Sequence, residues 1–174
     1  MSEKRRESRI GELTENYDSN RIPVSKSERE KGPFPYYGPS GITDYVDGYI
    51  FDGEYLLIAE DGANLRSRNY PIAFLVDGKF WANNHVHVVR GSEQASTKFL
   101  MYTLRQTNIS GYITGSAQPK LSQTNLNEIP IEVPPLPTQR RIVDILGTLD
   151  DKIELNCQMN QTLEAMAQAL YRHW

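Results

Sequence analysis

The 174-residue sequence has one cysteine, Cys157, three histidines and no long apolar run. One cysteine cannot form a disulfide within the chain, and no Cys/His group has the spacing of a zinc site. No run approaches the roughly eighteen apolar residues that a membrane span requires. The charged opening MSEKRRESRIGELTENYD lacks the apolar core of a signal peptide. These absences favour a cytoplasmic protein without a membrane segment or a metal site.

Charge is distributed unevenly along the chain. The formal net charge of −3 disfavours binding to a polyanion. However, residues 43–61 hold six acids and no base, whereas residues 62–127 hold seven bases against two acids. A local positive field attracts a polyanion more than the total charge suggests. The second stretch is therefore a candidate for nucleic-acid contact, and an unevenly charged solvated surface is the alternative.

Regular elements are predicted where apolar residues follow a strand or helix period. Strands bounded by Gly, Asp or Asn are predicted at residues 55–59, 72–76, 86–89 and, from the alternation of Ile129, Ile131 and Val133, at residues 129–133. Ser96 or Thr97 is expected to cap a helix that continues to about Gln106. The DGK sequence at residues 77–79 indicates a hairpin turn. This mixture predicts one α+β globule.

Two segments have weaker patterns. Residues 8–15 suggest a short helix, followed by an extended IPVSKS. KGPFPYYGPSGI is rich in proline and glycine, which interrupt regular structure, and it predicts a rigid, turn-rich segment that packs or presents Tyr36 and Tyr37.

Apolar residues recur every four and three positions near the C-terminus. This seam contains Ile142, Leu146, Leu149, Ile153, Asn156, Asn160, Leu163, Ala167, Leu170 and Trp174. A sustained four–three repeat is typical of a coiled coil. At 1.5 Å per residue, a helix over residues 138–174 would be about 55 Å long, more than a small globule needs to close its own core. The alternative is an amphipathic helix that folds back on its own domain.

The ends and the centre of this helix have their own determinants. Pro134, Pro135 and Pro137 should stop the preceding strand, and Thr138 can cap the helix. Asn156 and Asn160 interrupt the aliphatic seam. Buried asparagines weaken a coiled coil but fix its register, because their amides satisfy each other in one alignment. The pair therefore predicts a partner helix that docks in one orientation, and a second copy of this chain is the simplest partner.

These segments resemble the specificity subunits of type I restriction–modification systems. GSAQPKLSQTNLNEIPIEVPPLPTQRRIV and the following ILGTLDDKIELNCQMNQTLEAMAQALYRHW look like the end of a target recognition domain and the helix after it. PFPYYGPSGITDYVDGYIFDGEYLLIAEDGANL and GKFWANNHVHVV are similar to parts of such domains. The resemblance covers nearly all of residues 20–174. It implies a target recognition domain at residues 1–137 and a spacer and dimerisation helix at residues 138–174.

The resemblance implies a non-catalytic chain that recognises double-stranded DNA. Subunits of this family carry modification subunits, which methylate adenine with S-adenosylmethionine, and a motor–nuclease subunit joins them in restriction. No cofactor is expected in this chain itself. A complete family member has two recognition domains and two antiparallel helices, whereas this sequence resembles half of one. A homodimer would restore that arrangement and read a palindromic bipartite site. The alternative function is a coiled-coil adaptor that has lost DNA reading, and an enzyme with an unrecognised site is a third class.

Candidate DNA contacts lie in loops rich in polar and basic residues. Arginine suits guanine and Asn or Gln suits adenine, whereas lysines, hydroxyls and glycine-flanked backbone suit phosphates. The residues predicted to contact DNA are Tyr37, Arg66, Arg68, Asn69, Tyr112, Ser116, Gln118 and Lys120. For each of them, a solvated loop side chain is the alternative.

Two other groups could suggest chemistry. His85 and His87 would point to one face of a strand, but two ligands do not make a metal site, and a buried, hydrogen-bonded pair is expected instead. Glu60 and Asp61 could act as acid and base. Being adjacent, they would face opposite sides of a strand, and they are expected in a turn.

Overall fold

The computed structural model describes residues 5–173. Its strands are β1 (Arg6–Arg9), β2 (Thr14–Asn16), β3 (Phe34–Gly38), β4 (Gly41–Val46), β5 (Phe51–Asp52), β6 (Tyr55–Ala59), β7 (Ala73–Val76), β8 (Lys79–Ala82), β9 (Val86–Gly91) and β10 (Pro130–Val133). Its α-helices are α1 (Ile10–Leu13), α2 (Asn64–Ser67), α3 (Thr97–Gln106), α4 (Gln123–Asn127) and α5 (Leu136–His173). Single 3-10 turns lie at Asp18–Asn20, Lys26–Glu28 and Ser110–Tyr112. The mixed α+β class and the long C-terminal helix are confirmed.

An antiparallel sheet with the strand order β2-β9-β6-β7 forms the centre of the globule. Every residue of β6 is buried, and its side chains alternate between two cores. Leu56 and Ile58 face a core formed with α1, α3, α4 and β10, whereas Tyr55 and Leu57 face the second sheet. A strand buried on both faces reads as a continuous apolar run, which explains why β6 was predicted correctly.

The second sheet has the order β4-β3-β8-β5 and contains the segment expected to be irregular. That expectation was wrong, because β3 and β4 pair antiparallel as a hairpin closed at Gly41, whose φ is +109°. Pro35 is tolerated because β8 pairs only with Tyr36 and Tyr37. The N–H that Pro35 lacks therefore removes no hydrogen bond between β3 and β8. The Pro/Gly composition therefore concealed two strands.

Asp77 and Gly78 do not form the predicted hairpin turn. Gly78 has a φ of +87°, as a tight reversal requires. However, β7 pairs with β6 and β8 pairs with β5 and β3. The segment therefore carries the chain from one sheet to the other.

The N-terminal prediction is corrected as well. Instead of one helix over residues 8–15, the chain forms β1, the single-turn α1 and β2. Long-range pairing overrides the local pattern, since β1 pairs antiparallel with β10, with Ser8 opposite Ile131. Both neighbours of this segment, β10 and β9, lie far away in sequence.

Helix α3 begins where it was predicted. The Ser96 hydroxyl accepts a hydrogen bond from the Phe99 backbone N–H at 3.1 Å, which caps the helix. Phe99, Leu100 and Leu104 are buried against the central sheet. Strand β10 also shows the expected alternation, because Ile131 and Val133 are buried while Pro130 and Glu132 are exposed.

Helix α5 begins at Leu136, two residues before the predicted cap Thr138. Pro137 fits there because the first turn of a helix needs no internal N–H donor. Gln139 is fully buried and its side chain joins α5 to the globule: Nε2 donates to Gln94 O and Pro134 O, and Oε1 accepts from Ser96 N. Farther along, the Tyr102 hydroxyl donates to Asp150 Oδ2 at 2.8 Å. The base of the helix is therefore fixed against α3.

Beyond this base, α5 projects away from the globule. Residues 148–172 are all exposed, including Leu149, Ile153, Leu163 and Leu170 of the seam. The alternative of a helix folded back along its own domain is wrong for this part of the chain. Trp174 lies outside the described residues. Within residues 5–173, no helix combines the length and apolarity needed to cross a membrane.

Candidate functional site

Seven of the eight predicted DNA-contact residues lie in two neighbouring segments. The segments are residues 64–70, which contain α2, and residues 112–120, and we call them the loop pair. Arg66 connects them, because its Nη2 donates to Gly115 O at 2.9 Å. A cavity of about 290 Å³ between α2 and residues 108–113 adjoins both. The loop pair contains three bases and no acid, so its field suits an anionic partner.

The loop at residues 114–120 is closed by its own backbone. Thr114 N donates to Lys120 O and Lys120 N donates to Thr114 O, both at 2.8 Å. Gly115 has a φ of +77°, and a Cβ there would lie 2.2 Å from Gln118 O, so only glycine fits. Ser116 and Gln118 are exposed at the tip. The turn therefore presents two hydrogen-bonding side chains on a constrained backbone, as base or phosphate contacts need.

Arg68 is partly committed to the fold. It has a φ of +53°, in the left-handed region, and its Nη2 donates to Leu104 O and Thr107 O at the end of α3. Burial lowers its pKa, and its Nη1 is buried without a hydrogen-bond partner in the described structure. Asn69 beside it is exposed. Of these two neighbours, Asn69 has the side chain more available to a ligand.

Lys120 and Tyr112 also make contacts within the protein. Lys120 Nζ lies 3.2 Å from Glu60 Oε1, although about half of the lysine side chain remains exposed. The backbone carbonyl of Tyr112 accepts a hydrogen bond from Asn125 Nδ2 at 2.8 Å, and its half-buried side chain packs against the main hydrophobic core. Both residues therefore help to hold the loop as well as border it.

An ionic cluster lies beneath the loop, and all of its members except Lys120 are largely buried. It consists of Asp18, Arg21, Glu60, His87 and Lys120. His87 is 1% exposed; its Nε2 lies 2.8 Å from Leu121 O and its Nδ1 lies 2.6 Å from Asp18 Oδ2. A carbonyl oxygen only accepts, so Nε2 carries a proton. Both ring nitrogens therefore have an oxygen within hydrogen-bond distance, one from Leu121 and one from Asp18.

The two acids of the cluster are stabilised as carboxylates. Burial acts to raise the pKa of Asp18, but the hydrogen bond and charge of His87 outweigh it, so the pKa lies below its ordinary value. For Glu60 burial also acts to raise the pKa, but the hydrogen bonds from Arg21 and Lys120, together with the charges of His87 and Arg21, lower it overall. Arg21 Nη1 donates both to Glu60 Oε2 at 2.8 Å and to Val86 O at 2.6 Å.

The cluster attaches the loop to the central sheet. Leu121 N donates to Glu60 O at 2.7 Å and Gly62 N donates to Pro119 O at 3.1 Å, on either side of Lys120. His87 extends from β9 to Leu121 O, and Asp18 Oδ1 accepts from Val88 N. The loop is therefore held at several backbone atoms by groups that are themselves buried and paired.

Tyr37 lies apart from the loop pair, in β3 of the second sheet. Its ring packs on Phe74 and Phe80, with centroid distances of 5.8 and 5.6 Å. Burial, followed by the charge of Tyr45, raises the pKa of its hydroxyl. The geometry places Tyr37 mainly in the aromatic core.

Only one of the two histidines has the buried, hydrogen-bonded environment expected for both. His87 is buried and hydrogen-bonded, as expected, but His85 is about half exposed and precedes β9, in a turn where its backbone N–H donates to Asn83 Oδ1. Its ring instead lies 2.6 Å from Asp61 Oδ2. Among the residues that the structure describes, no three His, Cys, Asp or Glu side chains converge as a metal site would require.

Sequence reasoning missed Asp18 and Arg21. They lie in an aperiodic, mixed-charge stretch, and their partners on β9 and after β6 are 39 to 70 residues away. The one available clue was His87, since a histidine inside an apolar strand needs a buried acceptor.

Comparison with known proteins identifies the family of this architecture. Residues 2–165 match the model of the type I restriction modification DNA specificity domain. A putative type I restriction enzyme specificity subunit of Haemophilus influenzae is 45% identical over 140 residues, covering 80% of this chain and 36% of that protein. The EcoprrI specificity subunit of Escherichia coli is 28% identical over 148 residues, with coverages of 80% and 36%.

Solved structures show the same fold. The S subunit of a type I restriction–modification system from M. genitalium superposes with a TM-score of 0.71 at 16% identity, covering 88% of this chain and 41% of that one. The HsdS subunit of Thermoanaerobacter tengcongensis gives a TM-score of 0.56 at 16% identity, with coverages of 89% and 39%. This chain thus spans between a third and a half of the length of each relative described above.

Proposed function

Because the chain belongs to the type I restriction–modification DNA specificity family, we propose that it recognises a DNA sequence through the loop pair. The loop pair combines three bases, exposed Asn and Gln amides and no acid. Arginines and amides suit base edges, whereas Lys120 and the glycine-flanked turn suit phosphates. The rigid support of the 114–120 loop reduces the ordering that binding must otherwise impose.

The chain acts as a half-subunit that pairs with a second copy through α5. The observation that carries this proposal is the projecting helix: residues 148–172 are exposed, yet they keep the apolar seam. Leu163 is 58% exposed and Leu170 is 64% exposed. An apolar stripe of this length in water indicates a partner surface.

The sequence of the seam favours one antiparallel register. With a two-fold axis at residue 158, Asn156 of one helix faces Asn160 of the other. The same axis pairs Ile153 with Leu163, Leu149 with Ala167, and Leu146 with Leu170. A shift of one heptad would bury each asparagine against an aliphatic residue, at the cost of an unpaired amide. The pairing places the two globules at opposite ends, so that the dimer reads a bipartite palindrome.

The exposed Cys157 tests this register directly. It lies one residue from the proposed axis, so the two cysteines of an antiparallel pair lie on the same edge with an axial offset of about 3 Å. In a parallel, in-register pair they would lie on opposite edges. A short bismaleimide should therefore cross-link the chain into covalent dimers. The matched control is Cys157→Ser with Gln158→Cys, which moves the thiol to the outer face at the same level, and it should not cross-link.

The non-catalytic dimer carries modification subunits. These methyltransferase subunits would bind S-adenosylmethionine and supply much of the phosphate contact that a chain of formal charge −3 lacks. A motor–nuclease restriction subunit would join the same assembly. This chain then recognises the DNA sequence and sets the distance between the two globules.

Selection of bound duplexes by the chain with its modification subunit tests the whole proposal. The expected result is a two-part palindromic site with a fixed spacer. A monomer at micromolar concentration, both free and on DNA, would contradict the dimer. Stable association with the modification subunit but no sequence preference would instead favour the coiled-coil adaptor.

A further inference from the structure

An apolar groove lies at the base of α5 and is not used by the loop pair. Its volume is about 490 Å³. Its wall residues include Phe99, Tyr102 and Thr103 of α3, Ile131 of β10, and Ile142 and Leu146 of α5. The Tyr102–Asp150 hydrogen bond fixes one wall, and burial together with that bond raises the pKa of Tyr102 to about 12. The groove is therefore preformed.

The groove opens on the seam face of α5. At 100° per residue, Ile142 and Leu146 share a stripe with Leu149 and Ile153, which project beyond the globule. Contacts with α3 come from another side of the helix, where Gly147 packs near Lys98 and Asp150 binds Tyr102. A partner helix that follows the exposed seam toward the globule would thus enter the groove between α3 and β10.

We propose that this groove receives the end of α5 of a second copy, which rests on the antiparallel dimer proposed above. The axis at residue 158 brings Leu170 of the partner to the level of Leu146. It brings Tyr171 of the partner to the level of residue 145, on the edge of the pair that faces α3. Tyr171 is 85% exposed, and an aromatic side chain at that level meets Phe99 and Tyr102.

The docking makes each globule part of the dimer contact. A helix end held between α3, β10 and the base of α5 cannot rotate about the pair as a free end could. The separation of the two globules and their relative rotation are then fixed together. The occupant is therefore a second copy, and the residues that enter the groove are 167–172.

Site-directed cross-linking of the full chain tests the docking. In a Cys157→Ser background, Thr103→Cys is combined with Tyr171→Cys, and a short bismaleimide is added. The matched control combines Thr103→Cys with Ala169→Cys, which lies on the opposite face of α5 about half a turn away. The mass of each uncross-linked variant is measured in solution in parallel.

The expected result is covalent dimers from the first pair and at most a tenth as much from the control. Tyr171→Ala should weaken dimerisation on the order of tenfold, as loss of a well-packed interface aromatic does. Dimers that form but do not cross-link through 103 and 171, or that cross-link equally through 169, would overturn the docking and leave the proposed function intact. A monomeric chain would overturn both.

Discussion

Two histidine–aspartate pairs in this protein have the same separation but different burial. The difference in burial predicts how much each pair contributes to the free energy of unfolding. His87 and Asp18 lie 2.6 Å apart with side chains 1% and 6% exposed. His85 and Asp61 are also 2.6 Å apart, but the histidine side chain is 48% exposed. Breaking a buried pair strands a charge away from water, whereas solvent screens an exposed one.

Asp18→Ala should therefore lower the free energy of unfolding by about 3–5 kcal/mol, and Asp61→Ala by about 0–1 kcal/mol. Asp18→Asn should recover part of the loss, because its Oδ1 can still accept from Val88 N, as Asp18 Oδ1 does. Urea unfolding at one protein concentration measures all three, with stability compared from the midpoint at constant slope. If Asp61→Ala cost as much as Asp18→Ala, burial would not be the deciding factor.

The two acids of the ionic cluster, Asp18 and Glu60, set the response of the fold to acid. The pKa values of Asp18 and Glu60 lie below their ordinary values, so their stabilisation is fully present above the unfolded-state values of about 4. It is lost as the pH falls through the lower folded-state values. Unfolding measured from about pH 6 to pH 3 should show a steeper loss of stability in the natural chain than in Asp18→Ala. Equal slopes would contradict the cluster.

Arg68→Ala should lower the free energy of unfolding by about 1.5–3 kcal/mol, because its hydrogen bonds to the end of α3 are lost. Arg66→Ala should change the free energy of unfolding by no more than about 0.5 kcal/mol. Thermal and urea unfolding compare the two variants, and equal losses would contradict a structural role for Arg68. Lys120→Ala should weaken binding to all duplexes alike and reduce the slope of log K against log salt by about 1, and a change in sequence preference would contradict its role at phosphates. Replacing both Asn156 and Asn160 by leucine should strengthen association but relax its register. Cross-linking through Cys157 would then fall, and unchanged cross-linking would count against the asparagines as the register device.

Local patterns predicted the elements that local physics determines. β6 was recognised because it is apolar on both faces, and α3 because Ser96 caps an amphipathic run. The length of α5 followed from its four–three repeat. By contrast, β1 was missed because its strand character comes from pairing with β10, more than a hundred residues away in the chain. β3 and β4 were missed because proline and glycine generally disfavour strands, whereas here Pro35 lies outside the pairing with β8 and Gly41 closes the hairpin between the two strands.

Composition selects the loops of the candidate site rather than its individual side chains. Composition indicated the loops at residues 63–70 and 110–123, and the structure brings them side by side through Arg66 and Gly115. Composition could not show that Arg68 bonds the end of α3 or that Tyr37 packs inside the second sheet. Such commitments depend on distances between segments that lie far apart in the sequence.

The hydrogen bonds that hold the 114–120 loop have a consequence for how new sequence specificities could arise. Arg66 and Gly62 donate to carbonyl groups of this segment, at Gly115 and Pro119, and His87 Nε2 lies 2.8 Å from the carbonyl of Leu121, which follows it directly. None of these bonds depends on which side chains occupy positions 116–118. Mutation could therefore change the side chains at the tip of the loop without altering the hydrogen bonds that hold it. Residues 116–118 are accordingly the natural positions to diversify in a library.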